Sequence, residues 1–230
     1  MKMLAFVPAR GGSKGIPKKN MVDLNGKPLI QYTLDILNKL GDIIYPFIST
    51  DDENISSYCA SKGFDMAYRR PTELAEDDSL IIDAIWHALD WLEENRNYGC
   101  ESVLLLQPTT PIRNSDEIKC AIEKFNTDSL ESLTSVTPMR EHPYECVEIH
   151  GDKWDFLREP LHDVKGRQSY NQDYFFIDGS FYLGTVSFLK ANNGFLKKSV
   201  TYFFKLDRIW PVDIDHPDDI CVAETFLDKK

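Results

Sequence analysis

Positive charge is scarce in this chain: 26 lysines and arginines stand against 37 aspartates and glutamates, a formal net charge of -11. So acidic a surface repels phosphate backbones and anionic lipid, which argues against nucleic acid or a membrane as the main partner. Any local cluster of cations therefore stands out. Long apolar runs are lacking too. No stretch of about 18 apolar residues is present to span a bilayer, and Leu4–Val7 leads into "PARGG" and not into a cleavage site, so a cytoplasmic protein is expected. Cys59, Cys100, Cys120, Cys146 and Cys221 are odd in number, far apart and without a CxxC pair, which argues against a disulfide framework or a thiolate zinc site. No repeat, low-complexity tract or flexible linker interrupts the 230 residues, a length that fits one domain.

What is present is an alternation of short apolar runs and amphipathic segments. Met3–Val7 reads as a buried strand. In Pro28–Leu40 the apolar residues recur at helical spacing, opened by Pro28 and closed by Gly41. "IIYPFIST" reads as a strand in which Pro46 cannot donate a ladder bond. Helices are expected over Asp52–Gly63, Ser79–Asn95 and Asn114–Phe125, with Ser102–Gln107 apolar enough for a central parallel strand. This pattern predicts an α/β fold, a doubly wound, mostly parallel sheet whose ligand lies beyond the carboxyl ends of its strands. Pro8–Asn20, "STDD" and Gln107–Arg113 share that edge. From about Leu130 the composition turns β-branched and aromatic, with "HGD" as a hairpin turn, and a small antiparallel insertion is expected over about residues 130–185. "VTYFFKL", a strand over "IWPVDID" and a helix from Pro217 towards Leu227 complete the single domain.

The stretch "PARGGSKGIPKKN" fails two familiar phosphate templates. It has no GK[ST], and Arg10 stands where a GxGxxG fingerprint needs glycine. What remains is a strand followed by Gly11, Gly12 and Gly15, which let backbone N–H groups approach a ligand, and by Arg10, Lys14, Lys18 and Lys19. That is an anion grip suited to a polyphosphate; the bland alternative is a turn with solvated lysines. Asp213 and Asp215 lie two apart on the expected strand, so both carboxylates point to one face and can share Mg²⁺ together with substrate phosphates. Alternatively they are surface residues beside Asp218 and Asp219, which cap the last helix. Arg113 reads as a loop contact, and His142 and His216 as structural histidines.

The ordered set "VPARGGSKGIPKKN", "GKPLIQYT", "STDDE", "RRPTELAEDDS", "LLQPTTPIR" and "VDIDHPDD" resembles the acylneuraminate cytidylyltransferases, the CMP-sialic acid synthetase group, over nearly the whole chain. The resemblance implies a Rossmann-like nucleotidyltransferase that joins CTP to a nine-carbon α-keto acid sugar, a nonulosonic acid, with Mg²⁺ and release of pyrophosphate. It implies a homodimer whose antiparallel insertion supplies much of the interface. It places Arg10, Gly12 and Ser13 at the triphosphate, with Lys14, Lys19 and Asn20 closing round the nucleotide. Arg70 falls at the CTP site, Gln107 and Thr109 between nucleotide and sugar, and Arg167 and Gln168 on the sugar-acid side. Asp213 and Asp215 match the metal carboxylates, and Arg10, Lys19 and Asp213 carry the chemistry. The work asked of them is positioning and charge neutralisation; no protein nucleophile is needed.

Two departures bear on the sugar. Tyr144-Glu145 stands where the sialic-acid members carry a lysine, and "FIDG" where they carry "RPNG". A cation lost and Asp178 gained as a substrate contact suggest a sugar with an amino substituent or altered side-chain stereochemistry. From the residues alone, a metal-dependent glycosyltransferase, a nucleotidyltransferase for another sugar or sugar phosphate, and a noncatalytic nucleotide-binding homologue remain open.

Overall fold

The computed structural model describes residues 2–159, 174–207 and 212–227. Along the chain the elements are β1 (Met3–Pro8), β2 (Asp23–Leu24), β3 (Lys27–Pro28), α1 (Leu29–Leu40), β4 (Tyr45–Ser49), α2 (Glu53–Ser61), α3 (Ile81–Arg96) and β5 (Ser102–Leu105). Then follow α4 (Ser115–Thr127), β6 (Ser132–Pro138), β7 (Val147–His150), β8 (Lys153–Phe156), β9 (Phe175–Thr185), α5 (Val186–Asn192), β10 (Tyr202–Lys205) and α6 (Pro217–Leu227). The main sheet has the order β10-β6-β9-β5-β1-β4. β1 pairs in parallel with β4 and β5, and β10 with β6, while β9 runs antiparallel between β5 and β6.

Side-chain alternation along β1 divides the core between the two faces of this sheet. Met3, Ala5 and Val7 pack with Ile30, Leu34 and Leu37 of α1, Ile55 and Cys59 of α2, and Ile118, Ile122 and Phe125 of α4. Leu4 and Phe6 pack on the other side with Ile82, Ile85 and Leu92 of α3 and with Phe188 and Leu189 of α5. Each fully buried side chain of this size contributes about 1.5–3 kcal/mol of transfer free energy. Helix ends agree with their local chemistry: Gly41 closes α1 at φ 55, and the Asp52 carboxylate accepts from the N–H groups of Asn54 and Ile55 at the start of α2. Pro46 lies in β4, the edge strand, where its missing N–H faces no neighbour.

The second half differs from expectation in two respects. The antiparallel segment expected over about residues 130–185 begins and ends inside the main sheet, since β6 and β9 are interior strands, with Leu183 of β9 opposite both Leu104 and Leu133. β-branched and aromatic composition identifies a strand without saying which sheet takes it. Among the described residues of this segment, the hairpin β7–β8 stands outside, turning through Gly151, at φ 64, and Asp152. Its Val147, Ile149, Trp154 and Phe156 are exposed, because a two-stranded ribbon has nothing to cover both of its faces. The strand expected over "IWPVDID" is also revised: residues 212–215 form no ladder, and residues 209–211 lie outside the described residues. Period-two burial survives there all the same, with Val212 and Ile214 inward and Asp213 and Asp215 outward.

Candidate active site

The loop after β1 is held by its own ends and by close backbone approach. Asn20 donates from Nδ2 to the Arg10 carbonyl (2.9 Å), folding the loop back on its start, and the Gly11 N–H donates to Asp51 Oδ1 (2.9 Å) beyond β4. Glycine is required at Gly15, where a side-chain carbon would lie 2.2 Å from the Asp215 carbonyl oxygen. Lys19 completes the same junction, donating from Nζ to the Ile214 carbonyl (2.9 Å) and to Asp215 Oδ1 (2.8 Å). The Ile214 N–H in turn donates to the Thr109 carbonyl (2.8 Å), so the loops after β1 and β5 and residues 212–215 are laced together. Ile16, Leu24, Leu29, Val212, Ile214 and Ala223 form a small apolar cluster beneath them.

These loops enclose a cleft of about 270 Å³ at the carboxyl edge of the sheet. Arg10, Gly12, Ser13, Lys19, Asn20, Arg70, Gln107 and Thr109, all expected from the sequence, line it. Arg70 is buried and fixed by two bonds to Ser49, from Nε to Oγ (2.9 Å) and from Nη2 to the carbonyl (2.8 Å), and burial pulls its guanidinium below the ordinary arginine value. Gly12 has open space on its free face. Lys14 sits at the mouth, paired with Asp77 at 3.0 Å. Arg10 meets the same carboxylate at 2.9 Å and also donates to the Glu76 carbonyl (2.8 Å). Hydrogen bonding and charge from Lys14 and Arg10 hold the Asp77 carboxyl below the usual range. One of the protein's own carboxylates thus occupies the spot where Arg10 and Lys14 converge.

Asp213 and Asp215 do not line this cleft but adjoin it, Asp213 through the Thr109 side chain that hydrogen-bonds it and Asp215 through Lys19. Although Asp213 faces away from the core, partial burial beside the cleft raises its carboxyl; a hydrogen bond from the Thr109 side chain works against that, the charge of Asp215 adds to the rise, and Lys19 and Arg113 oppose it. Two neighbouring carboxylates of this kind suit a divalent cation. Among the described residues no cluster of three or more His, Cys, Asp or Glu could hold a metal, so an ion here would draw its remaining ligands from water and substrate phosphates, as Mg²⁺ does. Two carboxylates beside a cationic phosphate loop fit that need.

Asp178 takes a different place from the one expected. It is 2% exposed and accepts hydrogen bonds from the hydroxyls of Ser135 and Ser180, so its carboxylate faces the protein and not the cleft. Proximity in sequence to a loop of interest does not set the direction of a side chain on an irregular strand. Arg167 and Gln168 lie outside the described residues. His142 accepts from the Tyr144 N–H through Nδ1 (3.3 Å) and meets Tyr174 edge-on, a structural setting. The His216 N–H donates to Asp219 Oδ2 (2.7 Å) at the start of α6. Sequence reasoning missed Asp77, whose signal was its place in the acidic run of the quoted motif "RRPTELAEDDS". It also understated Arg113, which is buried and donates from Nε to the Ser180 carbonyl (2.6 Å), from Nη1 to Thr33 Oγ1 (3.0 Å) and from Nη2 to the Gln107 carbonyl.

A family model described as cytidylyltransferase matches residues 4–149. The chain is 30% identical to an N-acylneuraminate cytidylyltransferase of Streptococcus agalactiae serotype V, over 99% of this chain and 54% of that protein. It is 29% identical to a CMP-N,N'-diacetyllegionaminic acid synthase of Legionella pneumophila, over 99% of this chain and 97% of that one. With a pseudaminic acid cytidylyltransferase of Campylobacter jejuni the identity is 30%, over 97% and 95%. The chain thus spans about half the length of the streptococcal relative and nearly all of the other two. Among solved structures, a CMP:2-keto-3-deoxy-manno-octonic acid synthetase complexed with CTP superposes with a TM-score of 0.73 at 15% identity, covering 100% of this chain and 99% of that one. A 4-diphosphocytidyl-2C-methyl-D-erythritol synthase from Anaerococcus prevotii gives 0.63 at 15%, over 99% and 98%. At these identities the structures establish a shared fold.

Proposed function

Because the chain belongs to the cytidylyltransferase family, we propose that it transfers CMP from CTP to the anomeric hydroxyl of a nonulosonic acid and releases pyrophosphate. The observation that supports this most is the gathering of Arg10, Ser13, Lys19, Asn20, Arg70, Gln107 and Thr109 around one cleft, with Asp213 and Asp215 adjoining it. In the reaction the acceptor oxygen forms a bond to the α-phosphorus as the bond to the pyrophosphate oxygen breaks, and the hydroxyl proton leaves. Arg10 and Lys14 release Asp77 and take the β- and γ-phosphates, neutralising the charge that builds on the leaving group. Lys19, already held between the Ile214 carbonyl and Asp215, fixes the phosphate loop against the metal carboxylates. Arg70, immobilised on Ser49, orients the nucleotide, and Gln107 stands between nucleotide and acceptor. Mg²⁺ on Asp213 and Asp215, when bound, supplies Lewis-acid neutralisation of the phosphates.

The acceptor is a bacterial nonulosonic acid of the legionaminic or pseudaminic kind in this reading. Relatives bearing those names match along nearly their whole length, and Tyr144-Glu145 stands where sialic-acid members carry a lysine. The enzyme works in the cytoplasm as a homodimer, the exposed apolar hairpin β7–β8 forming part of the contact. Its partners are CTP and the sugar acid, with no nucleic acid or membrane, in keeping with the net charge of -11. The test is pyrophosphate release with Mg²⁺, each of the common NTPs being offered against N-acetylneuraminic, legionaminic, pseudaminic and 3-deoxy-octulosonic acids. CTP-dependent release with a nonulosonic acid is the expected result; silence across the grid in folded protein would sink the proposal.

A further inference from the structure

β9 does not run straight through the sheet. On its β6 side the ladder passes from Thr134↔Tyr182 to Val136↔Ile177, so that Ser135 alone faces the stretch 178–181. The surplus residues form a bulge, with Gly179 at φ 71. Asp178 holds this bulge from behind, accepting from the hydroxyls of Ser135 and Ser180 and from the Ser180 N–H (3.3 Å). On the other side Thr110 Oγ1 donates to the Gly179 carbonyl (3.1 Å) and Arg113 Nε to the Ser180 carbonyl. Bulges that are pinned in this way re-aim backbone next to functional sites.

The front of the bulge faces the cleft. A side-chain carbon at Gly179 would touch the Thr110 methyl group at 3.4 Å and stand 3.9 Å from Gln107 Oε1 and 4.0 Å from Asp213 Oδ2. Beside the Thr110 methyl, this glycine therefore borders the space between Gln107, which lines the cleft, and the Asp213 carboxylate. In the proposed reaction an acceptor hydroxyl attacks the α-phosphorus opposite the leaving pyrophosphate, and with the phosphates on the loop after β1 the Gln107–Asp213 side is the one left for it.

We propose that the Asp178–Ser180 bulge gauges the acceptor: Gly179 is a specificity-determining residue whose bare backbone borders the reacting end of the sugar acid, and Asp178 is a positioning residue that acts through Ser135 and Ser180. This rests on the CMP-transfer reading above. It also explains why a buried carboxylate sits so near the site without facing it. Asp178 fixes the wall and does not touch the sugar.

The test compares Asp178→Asn, Gly179→Ala and the milder Ser135→Ala with the unaltered chain. Pyrophosphate release is measured with CTP and legionaminic, pseudaminic or N-acetylneuraminic acid, and CTP affinity is measured separately by calorimetry without acid. Misplacing a reacting group by about 1 Å costs roughly a hundredfold, so Asp178→Asn is expected to lower kcat/KM for the acid about 10- to 100-fold. Gly179→Ala is expected to raise KM for the acid, and both variants to bind CTP within about twofold of the unaltered chain, since the phosphate loop is untouched. Ser135→Ala gives a smaller loss in the same direction and carries the test if Asp178→Asn does not fold. A CTP affinity that falls in step with turnover, or folded variants with unchanged kcat/KM for the acid, would overturn the proposal while leaving CMP transfer intact. Silence of the unaltered chain with every acid would remove the CMP-transfer reading, and the gauge with it.

Discussion

The two ends of the cleft are built on different plans. At the end proposed for the phosphates a single loop after β1 supplies Arg10, Gly12, Ser13, Lys14, Lys19 and Asn20, and much of its order comes from backbone approach and from one amide, Asn20, closing the loop on Arg10. At the end proposed for the acceptor, Gln107, Gly179 and Asp213 come from three distant segments, and their spacing depends on a bulge in β9 and on the Arg113 guanidinium that ties Ser180 to Gln107. A contiguous loop can be copied from chain to chain as a unit, whereas an end assembled from distant pieces is tuned by changing any one of them. The first plan suits a constant ligand and the second a varied one.

Substitutions that separate the two ends sharpen this contrast. The largest effect is expected at the phosphate end: Arg10→Ala removes a charge that meets the leaving group, and should lower kcat/KM for CTP about 10²- to 10³-fold in steady-state assays, with little change in thermal midpoint. Next comes Gly15→Ala, whose methyl would meet the Asp215 carbonyl at 2.2 Å. Overpacking of this kind costs about 1–3 kcal/mol, to be read from urea unfolding, and turnover should fall as the loop parts from Asp213 and Asp215. Arg113→Met would leave the Ser180 and Gln107 carbonyls without this donor, a destabilisation of about 1–3 kcal/mol in the same assay, with the acid's KM rising before that of CTP. If both KM values rose together, the two ends would not be separable.

A smaller effect of opposite sign is expected from Asp77→Asn. It frees Arg10 and Lys14 from their present counter-ion, so KM for CTP should fall, by less than about tenfold and less at high salt. A rise in KM would mean that Asp77 orients the cations and does not compete for them. The smallest effect belongs to a site remote from both ends. Asp65 is held below the ordinary carboxylate range by the Arg96 guanidinium and the Ala67 N–H. A depressed folded-state value means that its contribution is present above the ordinary aspartate range and is lost as the pH falls through the lowered one. Asp65→Asn should therefore shift the neutral-pH midpoint by no more than about 2 °C, and by nothing at strongly acidic pH, with kinetics unchanged.

Legibility in the sequence follows the same division. β1, its loop and the helices through α4 were readable because their signals are local: apolar periodicity, Gly41 after a helix, Pro46 in what turned out to be an edge strand. That Arg10, Lys19, Arg70 and Gln107 belong together was readable because the order of motifs resembles a family, and the four do line one cleft. The membership of β6 and β9 in the main sheet was not readable, since pairing partners are set by tertiary contact and not by strand composition. Nor was the inward turn of Asp178, which depends on a bulge that no residue type announces. Arg113 makes the same point: its partners Thr33 and Ser180 lie 80 and 67 positions away.

The bond between Lys19 and the Ile214 carbonyl spans 195 positions of chain. During synthesis the strands β1, β4 and β5 are all made within the first 105 residues, and the registers of β4 and β5 on β1 draw on nothing later, whereas the other side of β5 waits for β9. The junction at Gly15 has to wait for residues 214 and 215, which at about 5–20 residues per second is roughly 10–40 seconds after Lys19 itself is made. A chain interrupted before residue 214 lacks the partners of Gly15 and Lys19, and in the proposed reading is expected to hold nucleotide less well than the whole chain.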